Sequence, residues 1–254
     1  SQLADVAAEQ TLKWFRAPAL VTQNKWAEGF DPVTEADRAA EAAMRALLKV
    51  QRPDDSVIGE EAQNTVGTSG LSWVLDPIDG TRGYVSGTPT WGTLIALNDG
   101  QQPIFGVIDQ PYTAERFVGG LGMAFLERHG VKTPLATRKT RHLSQATIFT
   151  TFPEVGSPLE AEAFHTVAEQ CQLTRYGMDC YAYALLAAGQ IDLVIEAGLQ
   201  AYDIQAPMAL VQAAGGVVTD WRGGNPMHGG RCLCAATPEL HAAALDILRE
   251  VPLG

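Results

Sequence analysis

The chain is short of the residues that would staple it, anchor it or draw it to a polyanion. Only four cysteines occur in 254 residues, and Cys171, Cys180, Cys232 and Cys234 lack the paired C-x-x-C spacing of a structural zinc site. They read as small buried hydrophobes in a reducing cytoplasm, since a chain of this length buries a sizeable core without disulfides. Lys and Arg total 18 against 29 Asp and Glu, a formal charge of −11. Without clustered cations the chain is not suited to nucleic acid, whose phosphates are bound by Lys and Arg. No apolar run approaches the roughly 20 residues that span a bilayer, and the N-terminus is polar where a signal peptide carries an apolar block. The expectation is a soluble, cytoplasmic protein with no membrane partner. The five histidines (His129, His142, His165, His228 and His241) are dispersed without metal-ligand spacing, so most are expected on the surface. Gly119-Gly120 and Gly229-Gly230 read as loops, because neither forms a nucleotide-binding G-x-G-x-x-G before a helix. No repeat or low-complexity tract is present. An acidic chain can still act on a small phosphate ester if bound divalent metal supplies the positive charge.

What is there divides into two halves. Residues 1–16 and 35–50 read as helices; in the second, Ala39, Ala43, Ala46, Leu47 and Val50 form one stripe with charges opposite. SWVLDPI, WGTLIALND and IFGVIDQP are short β-rich runs bounded by turn formers, with Asn98-Asp99-Gly100 reversing the chain between two of them. An N-terminal unit of helices and antiparallel sheet is expected over 1–140, with the polar stretch at 127–145 as the joint. Over 141–254, ATIFTTF, IDLVIEA and GVVTD read as strands. LEAEAFHTVAEQC, YAYALLAAG and IQAPMALVQAAGG read as helices, the last closed by Gly215-Gly216. That alternation predicts an α/β layer.

The string DPIDGTR, Asp76 to Arg82, follows a strand and packs two carboxylates and a Gly-Thr step into seven residues. On its own it reads equally as a turn. Further acids stand at other element ends: Asp31 and Asp37 in DPVTEAD, Glu60 and Glu61 in GEE, Asp203 in AYDIQAP. Carboxylates meeting at strand and helix ends make an oxygen-rich site suited to hard cations such as Mg²⁺. Thr34 with Asp37 also fits a helix-capping arrangement, and Asp203 an N-cap. Glu61 reads as a supporting or exposed residue. Trp73 and Trp91 flank DPIDGTR on strands, where core packing accounts for them.

DPVTEAD, GEE, DPIDGTR and YDIQAPMALVQAAGG, in this order over nearly the whole chain, resemble the inositol monophosphatase superfamily of lithium-sensitive phosphatases. The resemblance implies an α/β (α+β) fold layered αβαβα, a homodimer, and two or three Mg²⁺ per active site lying between the halves. It implies that Glu60, Asp76 and the Ile78 carbonyl hold one metal. Asp76 would bridge to a second, shared with Asp79 and Asp203. Gly80 and Thr81 would offer backbone N–H groups to phosphate, and Asp37 with the Thr81 hydroxyl would orient and deprotonate water; the catalytic set is Asp37, Thr81 and Glu60.

After the Gly-Thr step, Arg82-Gly83-Tyr84 and SGTPTWGTLIAL, with YGMDCYAYALLAAGQIDLVIEAGL at 176–199, are similar to the bacterial histidinol-phosphate phosphatase branch. There the carboxylates matching Asp179 and Glu196 line the alcohol side of the pocket, with Arg82 beside them. Two acids facing an ammonium and an imidazole suit charge-assisted hydrogen bonds that a neutral polyol cannot match. Asp179 also reads as a helix N-cap, and Glu196 as a strand-end surface carboxylate. Asp31 before its proline and Pro207 after Asp203 depart from that branch. The implied substrate is L-histidinol phosphate. The alternatives are inositol-1-phosphate or broad sugar-phosphate hydrolysis and, from another class, a catalytically idle metal-binding regulatory protein. A nucleotide bisphosphatase is disfavoured, since no basic or aromatic platform for adenine is apparent.

Overall fold

The computed structural model describes residues 1–17, 22–24 and 32–252, so Asp31 lies outside the described residues. In chain order the first half runs α1 (Gln2–Trp14), β1 (Thr22–Asn24), β2 (Pro32–Thr34), α2 (Glu35–Gln51), β3 (Ser56–Gly59) and β4 (Ser72–Asp79). It continues with α3 (Thr81–Val85), β5 (Gly92–Asn98), β6 (Pro103–Gln110), β7 (Glu115–Gly120), β8 (Met123–Arg128) and β9 (Val131–Pro134). The second half runs β10 (Thr147–Thr150), α4 (Pro158–Ala168), β11 (Leu173–Tyr176), α5 (Asp179–Ala187), β12 (Leu193–Leu199) and α6 (Ala201–Ala213). It closes with β13 (Val217–Thr219), β14 (Gly230–Ala235) and α7 (Pro238–Leu248).

Strands β3 to β9 form one sheet in sequence order, antiparallel except for the parallel pair β3–β4. The second sheet, ordered β11-β10-β12-β14-β13, mixes parallel and antiparallel pairs. Alternating side chains explain the layering. On β4 to β7, Leu75, Ile95, Val107 and Val118 pack outward against Ala40, Met44 and Leu48 of α2. Val74, Leu94, Ile108 and Phe117 point the other way, into a core shared with α5, α6 and Val194, Cys232 and Cys234 of the second sheet. The opposite side of that sheet, with Leu193, Ile195 and Leu233, is covered by α4 and α7. Five layers result, αβαβα, as the resemblance implied. Both sheets are buried on two faces, which is why their strands read as continuous apolar runs without polar alternation.

The stretch at 127–145 is not a loose joint throughout. Residues 123–134 form a hairpin on the sheet edge, and only 135–142 lacks regular structure. Gly119-Gly120 is likewise part of β7 rather than a loop. The reason is packing: helix α6 lies flush on the sheet, and a Cβ at Gly119 would overlap the Leu210 Cα, while one at Gly106 would overlap the Ala206 carbonyl oxygen. Of the cysteines, Cys180, Cys232 and Cys234 are buried and none is disulfide-bonded.

Because those neighbours are backbone, they cannot rotate aside. Gly106→Ala and Gly119→Ala should each destabilise the protein by about 1–3 kcal/mol, the usual range for overpacking. Urea unfolding measures it; an unchanged midpoint for both variants contradicts the flush packing of α6.

Candidate active site

Asp76 and Asp79 lie three apart on β4, a spacing that in a regular strand sends side chains to opposite faces. The register with β5 shifts between them: Asp76 pairs with Leu94 and Asp79 with Gly92, so three steps on β4 match two on β5. That one-residue bulge restores a common side. It is held by the buried Thr93 hydroxyl donating to the Pro77 carbonyl (2.8 Å) and by the Ile78 N–H donating to Asp76 Oδ1 (3.0 Å). Gly80 then takes φ +84°, open only to a residue without a side chain, and its Cβ position is closed off by the Asp179 carboxyl at 2.9 Å.

Asp203 arrives from the start of α6, where its Oδ2 accepts from the Gln200 N–H at 2.7 Å. Asp203 is therefore not the N-cap, which is Gln200, but the third helical residue of a capping box, and that bond orients its side chain: carboxylate oxygens of Asp76, Asp79 and Asp203 all lie within 4.8 Å of one another. Pro207 sits inside α6 and has no N–H to offer the Asp203 carbonyl. Asp79 Oδ2 also accepts from the Cys180 N–H at the start of α5 (2.6 Å). Glu60, following β3, adds its charge to that on Asp76. Burial, then the repulsion of Glu60, Asp79 and Asp203, pushes Asp76 well above the carboxylate range. Burial with Asp179 and Asp203 does the same to Asp79. The three-carboxylate cluster fits a divalent cation, which needs such hard oxygen donors and would relieve their repulsion.

These residues line one cleft of about 450 Å³, together with Ile78, Gly80, Thr81 and Arg82. The Thr81 hydroxyl donates to the Ile78 carbonyl at 3.1 Å. Asp37 is buried and is not among the residues that line the cleft. It caps α2 as the sequence allowed, with Oδ2 accepting from the Thr34 N–H (2.8 Å) and hydroxyl. Its Oδ1 is buried without a hydrogen-bond partner, and burial lifts its pKa to about 7.

The same cleft carries Asp179, whose carboxyl lies against Gly80 and whose charge acts on Asp79, and Glu196. Asp179 opens α5 at φ +45° without capping it. Burial raises it to about 6, while the Arg82 guanidinium pulls the other way. Glu196 is no surface carboxylate, being 6 % exposed. It lies beside a second bulge, between Glu196 and Leu199 of β12. Its Oε1 accepts from the Thr151 N–H (2.7 Å) and hydroxyl (2.8 Å), and Oε2 from the Thr150 hydroxyl (3.1 Å). Three of its four acceptor positions are thus filled, leaving one on Oε2. Arg82 stacks over Phe152, 4.8 Å from the ring centroid, at the rim. Thr150, Thr151 and Phe152 escape a sequence reading, because nothing local in ATIFTTF points to a carboxylate some 45 residues on.

Residues 1–253 match the inositol monophosphatase family. The chain belongs to that family, and among the relatives it matches are histidinol-phosphatases and inositol-1-monophosphatases. It is 40% identical over 228 residues to the chloroplastic bifunctional phosphatase IMPL2 of Arabidopsis thaliana, covering 87% of this chain and 63% of that protein's length. It is 34% identical to a histidinol-phosphatase of Streptomyces coelicolor, over 98% of this chain and 94% of that one. The solved inositol monophosphatase of Zymomonas mobilis superposes with a TM-score of 0.84 at 38% identity, over 98% and 95% of the two chains. Among the described residues no helix is long and apolar enough to cross a membrane.

The raised carboxylates make a prediction for this phosphatase without metal. Asp37 and Glu196 at about 7 and Asp179 at about 6 hold protons in the native state that the unfolded chain, at 3.8 for Asp and 4.5 for Glu, has released. Stability of the chelated protein should therefore fall as pH rises from about 4 through about 7, and Asp76 and Asp79, raised well above the carboxylate range, extend the fall to higher pH. Thermal unfolding in chelator across pH 5–8 checks this, and saturating Mg²⁺ should flatten the dependence. A Tm rising with pH in chelator contradicts it.

Proposed function

We propose that the chain is a Mg²⁺-dependent phosphomonoesterase that hydrolyses L-histidinol phosphate to L-histidinol and phosphate, a step of histidine synthesis. The observation that carries the substrate assignment is the pair of carboxylates, partly buried Asp179 and buried Glu196, that line the same cleft as the metal-type cluster. An ammonium and an imidazole entering there complete the open acceptor on Glu196 and offset two charges that burial disfavours. A neutral polyol offers no such compensation.

On this reading Glu60, Asp76, the Ile78 carbonyl, Asp79 and Asp203 would hold two divalent cations, and a weaker third would follow family precedent. When bound, such ions supply positive charge to the phosphoryl group and acidify water. The protein does the rest. Gly80 and Thr81 direct backbone N–H groups at phosphate oxygens, which the missing side chain of Gly80 allows. Thr81 and Asp37 orient the attacking water, and Asp37, lifted to about 7, takes its proton. Arg82, stacked on Phe152, flanks the departing alcohol. A homodimeric assembly in the cytoplasm belongs to the same proposal and follows the family.

The Zymomonas mobilis likeness favours a second reading, hydrolysis of inositol-1-phosphate or of sugar phosphates broadly. An idle metal-binding relative fits less well, because it has no physical need for the full carboxylate set. Phosphate release from histidinol phosphate, inositol-1-phosphate and β-glycerophosphate, side by side in saturating Mg²⁺, separates these. Histidinol phosphate should be preferred. Glu196→Gln should lower its kcat/KM by roughly ten- to a hundredfold, the value of a charged hydrogen bond of about 1.5–3 kcal/mol, and leave β-glycerophosphate nearly unchanged. The Thr150 hydroxyl can reverse to accept from the new amide, so packing survives. Equal losses on both esters would mean damage to the metal cluster. Preference for inositol-1-phosphate would refute the substrate assignment and leave the phosphatase chemistry standing.

A further inference from the structure

Glu60 is the one proposed metal ligand with no regular element under it. Strand β3 ends at Gly59, and residues 60–62 form a bend without helix or strand. A carboxylate on a loose bend would lose orientation to thermal motion, and its contribution to a metal with it. The bend is fixed from outside, by helix α2. Glu41 is 1 % exposed, and its Oε2 accepts from the Glu61 N–H at 2.8 Å. Its Oε1 accepts from the Ala62 N–H at 3.1 Å and from Arg45 Nε at 2.7 Å. Arg45 reaches on through Nη2 to the Ala62 carbonyl, 3.2 Å away. The approach needs Gly59, where a Cβ would overlap Glu41 Oε1 and lie 2.7 Å from Arg45 Nη2.

Asp37, Glu41 and Arg45 recur every four residues, so they form one stripe on α2, about 6 Å apart along its axis. Asp37, at the head of that stripe, lies within the field of both Glu60 and Glu61. The same helix thus carries the carboxylate proposed to take the proton and the clamp on the segment that bears Glu60.

We propose that Glu41 is a positioning residue for Glu60: with Arg45 it clamps the backbone of residues 61–62, aims the Glu60 carboxylate at Asp76, and so sets metal affinity from outside the cleft. This rests on the reading of Glu60 as a ligand. A role in folding alone would give Glu41 the same hydrogen bonds, but would not make its effect depend on the Glu60 side chain.

The test is a double-mutant cycle on metal binding by the full chain without substrate, read by calorimetric titration of the chelator-stripped protein with Mn²⁺. In Glu41→Gln one acceptor oxygen becomes an NH₂ facing a backbone N–H, which breaks at least one arm of the clamp. Mn²⁺ affinity should fall about 10–100-fold, the range for groups that orient metal ligands. Glu60→Gln should weaken binding on a similar scale, and adding Glu41→Gln to it should weaken binding little further. If Glu41→Gln does not fold, Arg45→Met, which leaves Glu41 in place, goes through the same cycle and should show a smaller loss that vanishes in the Glu60→Gln background. Wild-type Mn²⁺ affinity in the variant that folds overturns the inference, as does a loss that adds in full to that of Glu60→Gln. Wild-type affinity in Glu60→Gln alone sinks the reading of Glu60 as a ligand, and the inference with it, whatever the substrate.

Discussion

Three carboxylates whose oxygens lie within 4.8 Å of one another, one of them buried and two partly so, repel one another unless a cation or protons compensate. That repulsion is the constraint around which the molecule is organised. The folding energy of five layers is what holds Asp76, Asp79 and Asp203 together against it. A bulge in β4 puts two of the acids on one side of a strand that would otherwise separate them. The first turn of α6 brings the third, and the first turns of α2 and α5 bring Asp37 and Asp179. All four helix-borne or helix-facing acids thus meet the positive end of a helix dipole, which softens the repulsion before any ion arrives. The backbone N–H of Cys180 on Asp79 makes that relation explicit.

The cleft divides by charge and by rigidity. Toward the cluster, oxygens are aimed by backbone geometry: the Pro77 and Ile78 peptides, the αL turn at Gly80, the clamp on residues 61–62. Elsewhere in the cleft side chains are fixed by other side chains, with Glu196 held by Thr150 and Thr151 and Arg82 stacked on Phe152. On the proposed function, chemistry common to many esters would fall to the backbone-fixed groups, and selectivity to side chains that substitutions can alter without disturbing the bulge.

Much of this was legible in the sequence, for physical reasons that differ by element. DPIDGTR was readable because Asp, Pro and Gly in sequence restrict the backbone locally, and the α2 and α6 starts were readable because caps are local too. The layered fold and the family followed from four motifs in order. Long-range pairing was not readable. Strand β3 joins the sheet parallel to β4, and β10 pairs with β12 some 45 residues on. Gly119 looked like a loop because its reason for being glycine, the backbone of α6, lies some 90 residues away. Glu41 looked like one more charge on a helix that alternates charged and apolar faces; only the folded chain shows that its carboxylate is buried against the bend after Glu60.

The central claim, that this carboxylate cluster is built for more than one divalent cation, is tested most directly by anomalous scattering from crystals grown in Mn²⁺. The account predicts two strong peaks within bonding distance of Asp76, one also bonded to Glu60 and the Ile78 carbonyl and the other to Asp79 and Asp203. An empty cluster at saturating Mn²⁺, or ions bound only elsewhere on this acidic surface, would contradict it.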